Sequence, residues 1–189
     1  HAEDGRKMGL DGVIEDLVSR IARHRKDKVF YQSIEEKLRS GQRLDQMELS
    51  KAITLVESED LLPDYRDDFL KTLREAPALD RAAPVIGITG TGGAGKSSLV
   101  DELINRYLHC SETARIAVVA FDPTKRKTGG ALLGDRIRMN SIYDERVFVR
   151  SMATRGSAME IGRSVSDTLQ LVRRSEVDTV ILETSGIGP

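Results

Sequence analysis

The stretch that decides the fold runs from Val85 to Ser98 and has the sequence VIGITGTGGAGKSS. Its first five residues form a short apolar run between Pro84 and Gly90, which predicts a buried strand. From Gly90 to Ser97 the chain matches the pattern G-x-x-x-x-G-K-[ST] of a phosphate-binding loop. An apolar strand before this pattern and leucines at helical spacing after it are the context in which such a loop folds.

The residue types in this loop suit the phosphates of a nucleotide. Glycines let the backbone turn so that successive N–H groups point inward at the start of a helix. Lys96 would reach the outer phosphates as a point charge, the Ser97 hydroxyl would bind Mg²⁺, and Ser98 can add a hydroxyl. The alternative is a glycine-rich turn with a chance Lys-Ser. The predicted phosphate-binding residues are Gly92, Gly93, Ala94, Gly95, Lys96, Ser97 and Ser98.

Two predicted strands end in carboxylates that suit a Mg²⁺ site. An apolar strand late in the chain ends in Glu183, and Gly186 follows, with an N–H that could meet the γ-phosphate. Asp122 ends the predicted strand Ile116–Phe121 and is a candidate for the metal site or for activating water. Each has a simpler alternative, because Glu183 could be a solvated charge and Asp122 a turn-forming residue.

A long polar segment between residues 123 and 143 is rich in Gly, Lys and Arg. An insertion of this length in a compact α/β domain is more often a functional loop than padding. Its Asp135 could approach Mg²⁺ only when nucleotide is bound, as in a switch; the alternative is a solvated basic loop. The predicted catalytic residues are Lys96, Asp122, Asp135 and Glu183. The predicted Mg²⁺ ligands are Ser97, Asp122, Asp135 and Glu183.

Strands and helices alternate after residue 84. This alternation predicts a doubly wound, mainly parallel α/β sheet of the P-loop NTPase type. The predicted strands are Val85–Thr89, Ile116–Phe121, Val147–Val149 and Val177–Leu182. A helix over 158–174 should turn four residues inward: Ile161, Val165, Leu169 and Val172.

Residues 1–83 predict helices that pack or link, with a partner-binding arm as the alternative. The first helix has its apolar face over 10–21. The second holds Ile34 and Leu38 and stops at Gly41. The third runs from Asp45 to about Glu59, with Met47, Ile53 and Val56 inward, and Pro63 ends it. The fourth holds Tyr65, Phe69, Leu70 and Leu73 and is closed by Pro77.

The composition excludes several classes of function. Lys and Arg total 29 against 30 Asp and Glu, giving a net charge of −1, which argues against nucleic-acid and polybasic membrane partners. Cys110 is the single cysteine, so an internal disulfide or a multi-thiolate metal site is excluded. No apolar run approaches the ~20 residues needed to span a bilayer. A cytoplasmic location is predicted.

Together these motifs resemble the P-loop GTPases of the MeaB/ArgK type, which are metallochaperones for adenosylcobalamin-dependent acyl-CoA mutases. The motifs that match are 90–97, 122–124, 129–139 and 183–188, and the likeness extends from about residue 45 to 188. This family carries Glu where most P-loop enzymes carry Asp, as at Glu183. By this resemblance Lys96, Ser97, Asp122, Asp135 and Glu183 take phosphate, Mg²⁺ and switch roles. Gly186 takes the role of γ-phosphate sensor.

Details of the sequence look like the branch of that family found as the GTPase domain of fused isobutyryl-CoA mutases. These details are the loop 91–98 and the segments 124–131 and 153–157. The opening stretch 3–12 is similar to the tail that leaves the cobalamin-binding domain in such fusions. The resemblance thus implies a helical linker over 1–44, a helical lead-in over 45–83 and the N-terminal part of a GTPase domain over 84–189. It also implies GTP/GDP and Mg²⁺ as ligands, adenosylcobalamin bound through the mutase parts, and a homodimer.

Two other functions fit the same motifs. A P-loop small-molecule kinase would use Asp122 as the base toward a substrate hydroxyl and the 123–143 loop as a substrate clamp. A nucleotide-dependent scaffold would bind nucleotide with negligible turnover. The guanine-reading motif Asn-Lys-x-Asp does not occur in this sequence, so guanine specificity is implied by the family alone. A sheet whose last strand carries Glu183 would leave an apolar edge unpaired, from which we expect a longer parent protein.

Overall fold

The computed structural model describes residue 14 and the ranges 28–58, 63–122, 141–153 and 158–185. The predicted helix over 10–21 lies outside these ranges, apart from Ile14. The helices of the described ranges are α1 (Lys28–Ser40), α2 (Gln46–Glu57), α3 (Pro63–Glu75), α4 (Lys96–Cys110) and α5 (Ala158–Arg173). The strands are β1 (Val85–Gly90), β2 (Ile116–Asp122), β3 (Val147–Ala153) and β4 (Thr179–Ser185), and a short 3-10 helix covers Ser141–Tyr143.

The four strands form one parallel sheet in the order β1-β4-β2-β3. This confirms the predicted α/β class with a parallel sheet. The strand that carries Glu183 was expected to leave an unpaired edge, and this expectation is wrong. β4 is paired on both sides, by β1 and by β2, and the edges of the described sheet are β1 and β3. The order of strands in space therefore differs from their order in the sequence.

Helix α4 covers one face of the sheet. Its side chains Val100 and Ile104 are fully buried against Ile116, Val118 and Ile181 of the strands. The leucines of this helix do not form its buried face, because Leu99 and Leu103 are 51% and 36% exposed. The residues one position further along supply its buried face.

The other face of the sheet is covered by α1, α2, α3 and α5, which share one hydrophobic core with the strands. Eight of the residues named in the predicted helices lie in that core, which confirms Ile34, Leu38, Ile53, Val56, Phe69, Leu70, Leu73 and Val172, and Val165 and Leu169 pack against it while partly buried. With helices on both faces, the sheet is doubly wound, as predicted. Within the described ranges no helix is both long and apolar enough to cross a membrane.

The start of α2 corrects one core prediction. Met47 was predicted to point inward but is 65% exposed, whereas its neighbour Glu48 is buried. The cause is a capping box, in which the Asp45 carboxylate accepts from the N–H of Glu48 and the Glu48 carboxylate accepts from the N–H of Asp45, each at 2.9 Å. Glu48 also pairs with Lys37 of α1 at 2.6 Å, which neutralises the buried charge.

Pro63 was predicted to end the third helix, and this is wrong. The helix α2 ends at Glu57 with Ser58 as its cap, and Pro63 is the first residue of α3. Proline suits that position because the N–H it lacks has no partner in the first helical turn.

Three strand predictions also need correction. β3 runs to Ala153 rather than ending at Val149. β4 begins at Thr179 rather than Val177, because Asp178 pairs with the turn before β2: its carboxylate accepts from the N–H of Arg115 at 2.9 Å. β1 was predicted to be buried, but Val85 and Ile86 are 37% and 48% exposed, because β1 is an edge strand. Burial in a parallel sheet depends on position in the strand order, which a single run of sequence does not contain.

Candidate nucleotide-binding site

The predicted site residues lie where the strands end. In the parallel register, Gly90 of β1 is level with Ser185 of β4, and Phe121 of β2 is level with Thr184. The carboxyl ends of β1, β4 and β2 therefore meet at one edge of the sheet, which is where open α/β sheets bind ligands. The glycine-rich loop leaves β1 at this edge.

The loop from Thr91 to Gly95 is exposed throughout and depends on glycine for its shape. Gly93 and Gly95 have φ angles of 77° and 81°, in the left-handed region that favours glycine. A Cβ atom added at either residue would meet nothing within 4 Å. The glycines are therefore required by the backbone conformation, and the space above them is free for a ligand.

Helix α4 starts at Lys96, with Gly95 as its N-cap. The first helical hydrogen bond in this turn runs from the N–H of Leu99 to the Gly95 carbonyl at 2.9 Å. A glycine cap has no side chain to occupy the N–H groups of the first turn, and the helix dipole makes this end positive. Backbone donors and dipole together make the start of α4 suited to a phosphate group.

The Lys96 side chain folds over the loop. Its Nζ donates to the carbonyl oxygen of Thr91 at 3.0 Å, and a Cβ added at Gly90 would lie 3.6 Å from Lys96 Cδ. The ammonium group is thus held across the mouth of the loop by a neutral acceptor. Thr91 was not among the predicted site residues; the sequence gives no signal that its carbonyl is the partner of Lys96.

Ser97 and Glu183 are brought together by the pairing of β1 with β4. The Ser97 hydroxyl donates to Glu183 Oε1 at 3.2 Å, and both side chains are half-buried. A hydroxyl and a carboxylate oxygen this close fit Mg²⁺, which prefers oxygen ligands and usually keeps several waters and phosphate oxygens. Within the described residues no group of three His, Cys, Asp or Glu side chains could hold a metal ion. The pair supplies two oxygen ligands, so a cation bound there would need further oxygen ligands, of which nucleotide phosphates and water are the usual ones for Mg²⁺.

The remaining predicted site residues are placed only in part. Asp122 is the last residue of β2, one strand away from Glu183, and its backbone lies at the binding edge. The structure does not describe the side chain of Asp122, nor the residues Asp135 and Gly186. The roles of these three residues stay predictions. Ser98 is exposed in the first turn of α4.

One contact near the site was not predicted. Asp101 lies one helical turn after Ser97 on α4, and its Oδ1 accepts from the N–H of Ser141 at 3.0 Å. The Ser141 hydroxyl in turn donates to the Asp101 carbonyl at 3.3 Å. The described end of the predicted switch segment 123–143 is therefore fixed to α4. No spacing rule links two residues so far apart in the sequence.

The far end of α4 is fixed by Arg146. Its Nη1 donates to the carbonyls of Leu108, Ser111 and Glu112 at 3.1–3.4 Å, where the helix dipole favours a cation. Its other nitrogens donate to the Asp144 carboxylate, and these hydrogen bonds lower the pKa of Asp144 to about 2. The helix that carries Lys96 and Ser97 is thus anchored at both ends.

Comparison with known proteins gives consistent matches. The family model described as methylmalonyl-CoA mutase-associated GTPase MeaB matches residues 49–189. A fused isobutyryl-CoA mutase of Geobacillus kaustophilus is 44% identical over 188 residues, and one of Cupriavidus metallidurans is 43% identical over 187 residues. Each alignment covers 98% of this chain but only 17% and 16% of the respective relative. A putative GTPase of Pyrococcus horikoshii is 39% identical over 154 residues, which is 81% of this chain and 45% of that protein.

Proposed function

This chain belongs to the family of methylmalonyl-CoA mutase-associated GTPases, MeaB, and from that premise we propose that its loop binds GTP with Mg²⁺ and hydrolyses GTP to GDP and phosphate. The observation that carries the proposal is the hydrogen bond from Ser97 to Glu183 at the mouth of the phosphate loop. It pairs the hydroxyl and the carboxylate that a nucleotide-bound magnesium ion requires.

Each described residue has a distinct task in this proposal. The N–H groups at the start of α4 bind the phosphates, and Lys96 exchanges its neutral partner, the Thr91 carbonyl, for a phosphate oxygen. Ser97 and Glu183 hold the metal, which when bound neutralises charge on the phosphates. Because charge develops on phosphate oxygens during transfer, groups already in position stabilise the transition state.

The predicted residues outside the description complete the proposal. Asp122 would orient or activate the attacking water from the end of β2. Asp135 would join the metal site when nucleotide is bound, and the N–H of Gly186 would contact the γ-phosphate. These three assignments rest on the family resemblance and on the position of β2 and β4 in the sheet.

We further propose that the domain is a metallochaperone module of an adenosylcobalamin-dependent acyl-CoA mutase. The support is that relatives covering 98% of this chain are fused isobutyryl-CoA mutases. GTP hydrolysis would gate the loading of adenosylcobalamin, which is cargo for the mutase parts, and would protect the loaded mutase. The mutase reaction would interconvert isobutyryl-CoA and n-butyryl-CoA, in a cytoplasmic homodimer.

The P-loop kinase alternative is not favoured, since the family model and the relatives are described as GTPases or as mutase fusions. The direct test is steady-state hydrolysis of GTP and ATP by the full-length protein, with and without Mg²⁺. We expect Mg²⁺-dependent turnover that is confined to GTP. Equal turnover of ATP, or turnover only with an added phosphate acceptor, would contradict the proposal.

The chaperone role needs a separate test. Full-length protein without cobalamin would be mixed with adenosylcobalamin in the presence of GTP, GDP or a non-hydrolysable GTP analogue, and cofactor binding followed by absorbance. We expect the rate or extent of loading to differ between GTP and the analogue. Identical loading in all three states would leave the GTPase proposal intact and remove the chaperone role.

A further inference from the structure

The linker 76–84, which joins α3 to β1, is held by arginines from elsewhere in the chain. We name Arg43, Arg173 and Arg174 the arginine clamp. Each donates to main-chain carbonyls of the linker. Arg43 donates to the carbonyl of residue 81 at 3.2 Å, Arg173 to that of residue 83 at 3.0 Å, and Arg174 to those of residues 76 and 77 at 3.1 and 2.8 Å.

Arg174 is an unusual member of the clamp. It is 7% exposed, and within the described part of the chain it forms no ion pair and its Nη1 has no hydrogen-bond partner. Burial lowers the pKa of its guanidinium. The cost of burying its positive charge is offset by the carbonyls at the end of α3, where the helix dipole is negative. A well-packed apolar side chain would be buried at a lower cost in folding free energy than a charged one, so stability alone does not account for an arginine here.

The clamp lies at the start of the ladder that builds the nucleotide site. The N–H of Val180 donates to the carbonyl of Pro84 at 2.9 Å, directly after the clamped linker, and β1–β4 pairing continues from there. Arg43 also donates to the carbonyl of Ser175, just before β4, at 3.5 Å. The starts of both strands are therefore tied to one group of arginines. The far ends of the same strands lead to Ser97 and carry Glu183.

We propose that the arginine clamp couples the helices α1–α3 to the metal pair Ser97–Glu183 by fixing how β1 lies against β4. Arg174 is then a positioning residue of the site. This inference rests on the proposed GTPase function. A small shift of one strand against the other changes the distance between the hydroxyl and the carboxylate, and metal binding is sensitive to such shifts. A movement of the helices, for instance by a mutase partner, would reach the metal through the linker.

The test is the Mg²⁺ concentration that gives half-maximal GTP hydrolysis in the full-length protein. We expect Arg174→Gln to raise this concentration about tenfold and Arg173→Gln, whose side chain is exposed, about threefold. The rate at saturating Mg²⁺ should stay within about twofold of wild type. Arg106→Gln is the matched control, because Arg106 is 76% exposed and, among the described residues, its ion pair is with Glu102 on the surface of α4; it should change neither quantity.

The following outcomes decide whether the arginine clamp positions the metal pair. A lower unfolding temperature of Arg174→Gln with an unchanged Mg²⁺ requirement would show a merely structural role. If Arg174→Gln does not fold, Arg173→Gln alone decides, and a wild-type Mg²⁺ requirement in it contradicts the proposal. If the wild-type protein has no GTPase activity, the proposed function fails first. Hydrogen exchange of the Val85–Gly90 amides then tests the clamp by itself: faster exchange in Arg173→Gln supports it, and unchanged exchange refutes it.

Discussion

The side of the sheet where the parallel strands begin (the amino edge) and the side where they end (the carboxyl edge) are built in opposite ways. At the carboxyl edge the loop 91–95 is exposed. The predicted site side chains there make two described hydrogen bonds, from Lys96 to the Thr91 carbonyl and from Ser97 to Glu183. At the amino edge, arginines donate repeatedly to main-chain carbonyls, as Arg146 does to three and Arg174 to two. One edge leaves its polar groups available, and the other satisfies them within the chain.

This difference separates the scaffold from the site. Backbone groups that already have partners fix the strands whether or not a ligand is present. Among the described residues, the N–H groups of the first turn of α4 have no such partners, and in the proposed function a phosphate supplies them. Substitutions in the core should therefore change stability, substitutions at the carboxyl edge should change ligand binding, and substitutions in the arginine clamp should change the Mg²⁺ requirement.

The largest effect should come from the core on the helical face. Phe69 is fully buried, and Phe69→Ala should lower the free energy of unfolding by about 3–5 kcal/mol, because it removes apolar contacts and leaves a cavity. Denaturant unfolding measures this change. Val29→Ala, at a residue that is 74% exposed, is the control and should change stability by less than about 0.5 kcal/mol. A change below about 1 kcal/mol for Phe69→Ala would contradict the described core.

The next effect lies at the loop. Lys96→Ala should weaken GTP binding by about 100-fold, or about 2.7 kcal/mol, because the phosphates lose their cation. The unfolding temperature should stay unchanged, since the described contact of Lys96 Nζ is a single carbonyl. Calorimetry measures the affinity, and Lys71→Ala, an exposed lysine of α3, is the control. Unchanged affinity would refute the phosphate assignment.

A smaller effect should come from the tie between α2 and β3. Arg150 donates to the Glu57 carboxylate and to the Thr54 hydroxyl, and the pair is only about a quarter exposed. Arg150→Met should cost about 1–2 kcal/mol of stability because Glu57 is left without its partner. A double-mutant cycle with Glu57→Gln measures the coupling. Additive single effects would mean that the pair contributes no coupling energy.

The smallest effect is a pH dependence at Asp144. Its pKa is lowered from 3.8 to about 2 by hydrogen bonds from Arg146, so it contributes stability above pH 3.8 that is lost as pH falls through about 2. Asp144→Asn should lower the unfolding temperature at pH 6. The difference in unfolding temperature between the variant and wild type should become smaller as the pH falls toward 2. Asp67→Asn, at a residue that is 84% exposed, is the control. A difference from wild type that does not change with pH would contradict this account.

The class of the fold and the loop could be predicted because they depend on local patterns. Alternating strands and helices predict a parallel sheet, and the spacing from Gly90 to Ser97 predicts the phosphate loop before any contact is known. Glu183 was predicted from its place near the end of an apolar strand, and the structure places it 3.2 Å from Ser97 Oγ. Local sequence was sufficient there because parallel strands bring their carboxyl ends together.

The rest depends on contacts between distant residues. The exposure of Ile86 follows from the strand order, and the exposure of Met47 follows from a capping box that turns Glu48 inward. Arg174 follows an amphipathic helix and looks like a surface cation in the sequence. Its burial depends on the linker, almost a hundred residues earlier in the chain.

The most direct test of the central claim, that Ser97 and Glu183 together hold the metal of a GTP site, is the Mg²⁺ dependence of GTP binding. Affinity would be measured by calorimetry in the full-length protein, with and without Mg²⁺, for wild type and for Glu183→Gln, which keeps the shape of the side chain and removes its charge. We predict that Mg²⁺ strengthens GTP binding to wild type and has little effect on the variant. The same Mg²⁺ dependence in both proteins would contradict the account.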